Sequence, residues 1–299
     1  MHLESVSFFS EGRKLAGTLE FPDTADLGSA LPVVVTCAGW GGTKDRSLPE
    51  FASRLTGHGF AVLRFDYRGY GLSEGSANRL HPLEQTADIR SAVGFLRGHP
   101  RIDPSRIAVL SVLTGAAAAL QAASEDRAIR AVVGFFPFGD GERWLRSLRR
   151  TWEWREFVAR LEADRAARAI SGVSELVDPN EILLRDAHGI EREARSREAS
   201  PARRDWKLGL DSADAIMAFR PEDHLARIAP RAVMFVAVEN DSMAALEDVT
   251  TLYGRLPSPK RILVLSGIRH HDIYQPERLT RIMNDVCAFL DESLIPNAV

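Results

Sequence analysis

Cysteine occurs only twice in the chain, at Cys37 and Cys287. Two thiols give no disulfide framework, and Cys37 ends an apolar run, where a thiol behaves as a small buried hydrophobe. No Cys/His spacing suggests a metal site, and no cofactor is expected. The glycines after the first parallel strand do not form GxGxxG, which removes the dinucleotide fingerprint. Positive charge is not in excess: 38 Lys and Arg stand against 41 Asp and Glu, for a formal net charge of −3. That balance argues against nucleic acid and against an anionic membrane surface as partners. Apolar runs stop short of the roughly 18 residues a membrane span needs. Met1-His2-Leu3-Glu4-Ser5 has neither a basic n-region nor an apolar h-region, so the expectation is a cytoplasmic protein. What is present, 45% hydrophobic and 26% charged residues over 299 positions, suits one large α/β domain or a core domain with a lid.

Val6–Phe9 and Leu15–Phe21 alternate about a Glu11-Gly12-Arg13 turn, which predicts an N-terminal antiparallel hairpin. Leu31–Cys37 is almost continuously apolar, as a parallel strand buried on both faces should be. Further strands are expected at Phe60–Phe65, Ile107–Leu110, Ile129–Phe136, Ala232–Val238 and Arg261–Leu265. Helices are expected at Leu48–His58, Leu83–Gly98, Gly115–Glu125 and Pro276–Leu290. This alternation predicts a doubly wound, mostly parallel sheet with helices on both faces. The pattern breaks between residues 139 and 206, a stretch of helical period with no strand-like run. It holds 14 arginines and 14 acidic residues, the composition of a solvated, salt-bridged face. The predicted organisation is a core over 1–138 and 207–299 with a helical cap inserted over 139–206.

Residues 106–115 read as a buried strand running through a sharp turn into a helix. In the elbow pattern G-x-S-x-G a serine nucleophile stands at the apex. Here the five positions are Ser111, Val112, Leu113, Thr114 and Gly115, and the apex, Leu113, has no nucleophilic atom. Three other segments keep the expected order. Asp66-Tyr67-Arg68-Gly69-Tyr70-Gly71-Leu72-Ser73 follows one strand, Asn240-Asp241 another, and Gly267-Ile268-Arg269-His270-His271-Asp272-Ile273-Tyr274 the last. As a set they resemble the α/β-hydrolase superfamily, in its capped branch of dipeptidyl-peptidase or dienelactone-hydrolase type. The resemblance covers roughly 1–138 and 207–295.

The resemblance implies His270 as the base and Asp241 as the acid behind it. Asp241-Ser242 precedes a helical run, so a helix-capping role for Asp241 stays open. His271 is expected to be structural, with a register in which it is the base left open. The implied oxyanion hole needs only backbone: the N–H groups of Trp40 and Thr114. Ser111 and Thr114 are the weaker replacement nucleophiles. Asp66, Arg68 and Ser73 are expected to brace the loop they share. Trp144, Trp152 and Trp206 lie in or beside the cap, where large rings suit a bulky, apolar small-molecule substrate. Fixing the cap to the core, or a homodimer contact, is the alternative.

What the resemblance implies first is a non-hydrolytic acid–base tailoring enzyme on a polyketide-like specialised metabolite. Cyclisation, isomerisation, and C–C bond formation or cleavage all fit a base beside a carbonyl with no acyl-enzyme route. A hydrolase in which His270 activates water, a serine hydrolase disabled naturally or by engineering at Leu113, and a ligand-binding pseudoenzyme are the alternatives.

Overall fold

The computed structural model describes residues 2–23, 30–46, 48–198 and 206–294, with backbone alone for 196–198. The N-terminal hairpin is β1 (His2–Ser10) and β2 (Arg13–Phe21). Alternation then continues through β3 (Leu31–Cys37), α1 (Leu48–His58), β4 (Ala61–Phe65), α2 (Pro82–Arg97), β5 (Ile102–Val112), α3 (Thr114–Glu125) and β6 (Ile129–Phe135). After the cap come β9 (Ala232–Val238), α9 (Leu246–Arg255), β10 (Lys260–Leu265) and α10 (Pro276–Leu294).

The strands form one eight-stranded sheet in the order β1-β2-β4-β3-β5-β6-β9-β10. Pairing is antiparallel for β1 with β2 and for β2 with β4, and parallel from β4 to β10. Strand periodicity divides the core. Val33, Val35 and Cys37 of β3, with Ile107 and Val109 of β5, face a layer that includes α2, α3 and α9. Val34 of β3, with Ala108, Leu110 and Val112 of β5, faces a layer that includes α1 and α10. Side chains two apart share a face of a strand, so one apolar run feeds both layers. The expected brace is present in the loop after β4. Asp66 accepts the N–H groups of Lys44 at 2.7 Å and Leu72 at 3.0 Å. Ser73 Oγ donates to Asp66 O at 2.6 Å, and Arg68 is paired with the fully buried Asp88.

The cap segment runs through α4 (Gly141–Ser147), α5 (Thr151–Ser171), β7 (Leu176–Val177), α6 (Pro179–Ile182) and α7 (Ala187–Glu198). It also contains a strand: β7 pairs with β8 (Leu208–Gly209), just past residue 206. α8 (Asp211–Met217) then packs on α4 and α5. Its charged face is salt-bridged, with Arg160 reaching Glu175 and Glu181, and Arg165 reaching Asp214.

Candidate active site

β3, β5 and β6 lie side by side and parallel, so their C-terminal ends open on one edge of the sheet, where open α/β sheets bind ligands. β5 ends at Val112, and the chain turns at Leu113, with φ 50° and ψ −112°, before α3 begins at Thr114. A bulky residue adopts positive φ only when its surroundings hold it there. Here they do. Leu113 N–H donates to Phe135 O at 2.8 Å, and Leu113 O accepts from Ala116 and Ala117 at 2.9 and 3.1 Å. The helix can start this close to β3 because residue 115 is glycine: a Cβ there would lie 2.4 Å from Ala38 O. Leu113 is buried, and its side chain lines a cavity of about 620 Å³.

His270 enters the same cavity from a 3-10 turn, His270–Tyr274, that follows β10. The turn is held by Asp272, whose Oδ2 accepts Arg269 N–H at 2.9 Å. His270 Nδ1 lies 2.7 Å from Asp241 Oδ2, and the two side chains are 6% and 0% exposed. A carboxylate only accepts, so the proton sits on Nδ1 and the Nε2 lone pair is left for a substrate. The other oxygen, Asp241 Oδ1, accepts the N–H groups of Met243 and Ala244 at 2.8 and 3.0 Å. One oxygen of the carboxylate thus holds the turn and the other faces the imidazole. Phe136, with φ 56°, lays its ring 4.1 Å from the imidazole. Sequence reading missed it, because a phenylalanine among Phe135, Phe136 and Phe138 looks like core.

Trp40 lies in a turn closed by Gly42 N–H donating to Gly39 O at 3.0 Å. It lines the cavity with Leu113. The turn needs a left-handed Gly41, φ 59°, and a Cβ there would collide with the Trp206 ring at 2.1 Å. Thr114 N–H is the first of α3, one of the donors a helix cannot satisfy within itself. Ser111 and Thr114 are fully buried and neither side chain lines the cavity. Ser111 Oγ is directed to Val133 O at 3.4 Å.

The tryptophans are a correction. Trp144, Trp152 and Trp206 do not line the cavity. Trp144 is core: it stacks on Phe138 at 4.3 Å and its indole N–H donates to Met243 O at 2.7 Å. Trp152 is 55% exposed on α5, and Trp206 packs over Gly41 and against Tyr70. Ring size makes a good cap-to-core anchor as readily as a ligand wall, and burial decides between them. The cap instead contributes Arg185, His188, Arg192 and Arg195 to the lining, and the core contributes Arg46. A run dense in both charges had concealed them as a solvated face.

His271 also lines the cavity, 4.9 Å from the His270 ring and edge-on to it. Its Nδ1 is buried with no hydrogen-bond partner among the described residues. Burial, the adjacent His270 and the charges of Arg192, Arg185 and His188 push its pKa down to about 2. An unfolded histidine titrates near 6.5. Between these values the unfolded chain binds a proton that the folded chain does not. His271 therefore costs no stability above pH 6.5, and below it stability falls by up to about 1.4 kcal/mol per pH unit. His271→Gln is expected to flatten this acid limb in a series of thermal melts against pH. An unchanged limb would show that the ring is not held neutral.

Comparison with known proteins places this geometry. The family described as serine aminopeptidase, S33, matches residues 28–277. The chain is 24% identical over 302 residues to a thiohydrolase, aneE, of Aspergillus aculeatus, covering 95% of this chain and 91% of the relative. It is 27% identical over 250 residues to an acyltransferase, drtE, of Aspergillus calidoustus, covering 80% and 79%. Among solved structures, the α/β hydrolase GrgF of a Penicillium species superposes with a TM-score of 0.82 at 22% identity, covering 98% of this chain and 99% of that one.

Proposed function

The chain belongs to the serine aminopeptidase S33 family of α/β-hydrolases, and from that premise we propose an enzyme that moves a proton at a carbonyl substrate without acylating itself. The observation that carries this reading is that His270, paired behind by Asp241, lines the same cavity as a leucine at the elbow. Nε2 of His270 removes a proton next to the carbonyl or from a hydroxyl, and Asp241 stabilises the imidazolium that forms. The carbonyl oxygen, gaining charge, is received by the N–H groups of Trp40 and Thr114. No covalent intermediate arises, because Leu113 supplies no nucleophile. The substrate we assign is a bulky, polyketide-like specialised metabolite, and a cavity of about 620 Å³ is of a size that holds one. Two relatives bear the names of acyl-group chemistry, which is carbonyl chemistry, and this supports the same reading.

The reading is tested by solvent-deuterium exchange. A methyl ketone incubated with the protein in heavy water is expected to gain deuterium at the carbon next to its carbonyl, followed by NMR. No exchange above the rate in buffer across a panel of ketones would remove proton transfer as the function.

A second reading is favoured by the relative named a thiohydrolase: His270 activates water against a thioester. Hydrolysis of N-acetylcysteamine thioesters without ketone exchange would select it. Leu113→Ser separates both from a disabled serine hydrolase. The leucine is packed in the core at 2% exposure, and a serine hydroxyl must align with Nε2 to within about 0.5 Å to be activated. Esterase activity of Leu113→Ser on 4-nitrophenyl acetate is therefore expected to stay within about tenfold of the unsubstituted protein. An efficient esterase would identify a scaffold that lost only its serine.

A further inference from the structure

The charge of the cavity is opposite to that of the chain. The chain carries a formal net charge of −3, yet the charged lining consists of Arg46, Arg185, Arg192 and Arg195 against Glu50 and Glu193. Glu193 lies 3.9 Å from Arg185, and Arg195 is 3.6 Å from Glu191. Arg192 has no carboxylate partner among the described residues; its guanidinium lies over the Tyr274 ring at 5.2 Å. Like charges held about the half-buried ring of His271 repel one another, and an anion in their midst relieves that repulsion.

We infer that the cavity takes a substrate bearing an oxyanion, which Arg192 and Arg185 hold beside His271. This rests on the reading of the cavity as the site of a carbonyl substrate and adds the charge that selects it. An arginine presents a planar fork of donors that matches a carboxylate or phosphate, and a charge-assisted, bidentate pairing of this kind is stronger than a neutral hydrogen bond. A carboxylate on the substrate and the phosphate of a carrier arm offer the same chemistry here.

The test uses two matched pairs of probes on the full chain, titrated by calorimetry at low salt. One pair is 4-acetylbenzoate and its methyl ester; the other is 4′-phosphopantetheine and pantetheine. The charged member of at least one pair is expected to bind about tenfold more tightly than its neutral partner. The pair that shows the preference identifies the source of the oxyanion. Arg192 is exposed, so Arg192→Gln leaves the fold intact, and in that variant the preference should shrink to within about twofold. Equal binding within both pairs, a preference that survives Arg192→Gln, or no binding by any probe would overturn the inference. His270→Ala keeps the two readings apart. It should retain the charge preference, since the base is not part of the anion site, whereas retained proton exchange in that variant would sink only the proposed chemistry.

Discussion

His270→Ala is expected to lower the rate of ketone deuterium exchange by about 10³-fold, with the fold intact by circular dichroism. The size of the effect follows from the pairing. Asp241 Oδ2 holds Nδ1 at 2.7 Å, so the imidazole is fixed in one tautomer with its base directed at the cavity. Phe136, 4.1 Å away, limits where the ring can go. His271 cannot take over, because a ring whose pKa is pushed to about 2 is a poor base at neutral pH. Loss of less than tenfold would mean that His270 does not carry the proton. Unchanged biological effect together with unchanged ligand binding would turn the reading to a binding protein.

Gly115→Ala should destabilise the fold markedly. The added Cβ would stand 2.4 Å from Ala38 O, 3.3 Å from Ala38 C and 3.2 Å from the Tyr67 hydroxyl. Two of these are backbone atoms of the loop leaving β3, so relief requires α3 to back away from the sheet. The expected cost is about 3 kcal/mol, which for a chain of this length lowers Tm by roughly 5 °C in a calorimetric scan. The same movement separates Thr114 from Trp40, so surviving folded protein should also lose exchange activity. A Tm within about 1 °C of the unsubstituted protein would show that the elbow has slack.

Long buried runs such as Leu31–Cys37 and Ala232–Val238 told their own story, because a strand covered on both faces can hardly be anything but apolar. Ordered turn segments put Leu113, Asp241 and His270 just beyond β5, β9 and β10, since chain order and strand ends are properties of the sequence. The cap resisted. β7 and β8 are two residues each, too short to show a period. Arg192 sits on α7 between Glu191 and Glu193, where alternating charge reads as a solvated surface. Trp144 and Trp152 differ only in which side of their helices meets the core, and an aromatic on a helix rich in arginine gives no sign of that. The sign of the cavity's charge was hidden too, because net charge sums over the whole surface and a pocket samples a few positions of it.

The hydrogen bond from Trp144 to Met243 O limits how this protein can be taken apart. Trp144 belongs to the segment that precedes the long cap helix, and Met243 N–H is bound by the carboxylate of Asp241. Ser242 is tied in turn to Asp186 at 3.0 Å, just before α7. The segments around Trp144 and Asp186 are thus each joined to the Asp241–Met243 turn. Excising 139–206 to lay the cavity open would not yield a minimal catalytic core; it would free the turn on which the alignment of His270 depends. Cap helices grafted from a relative would have to bring both anchors with them.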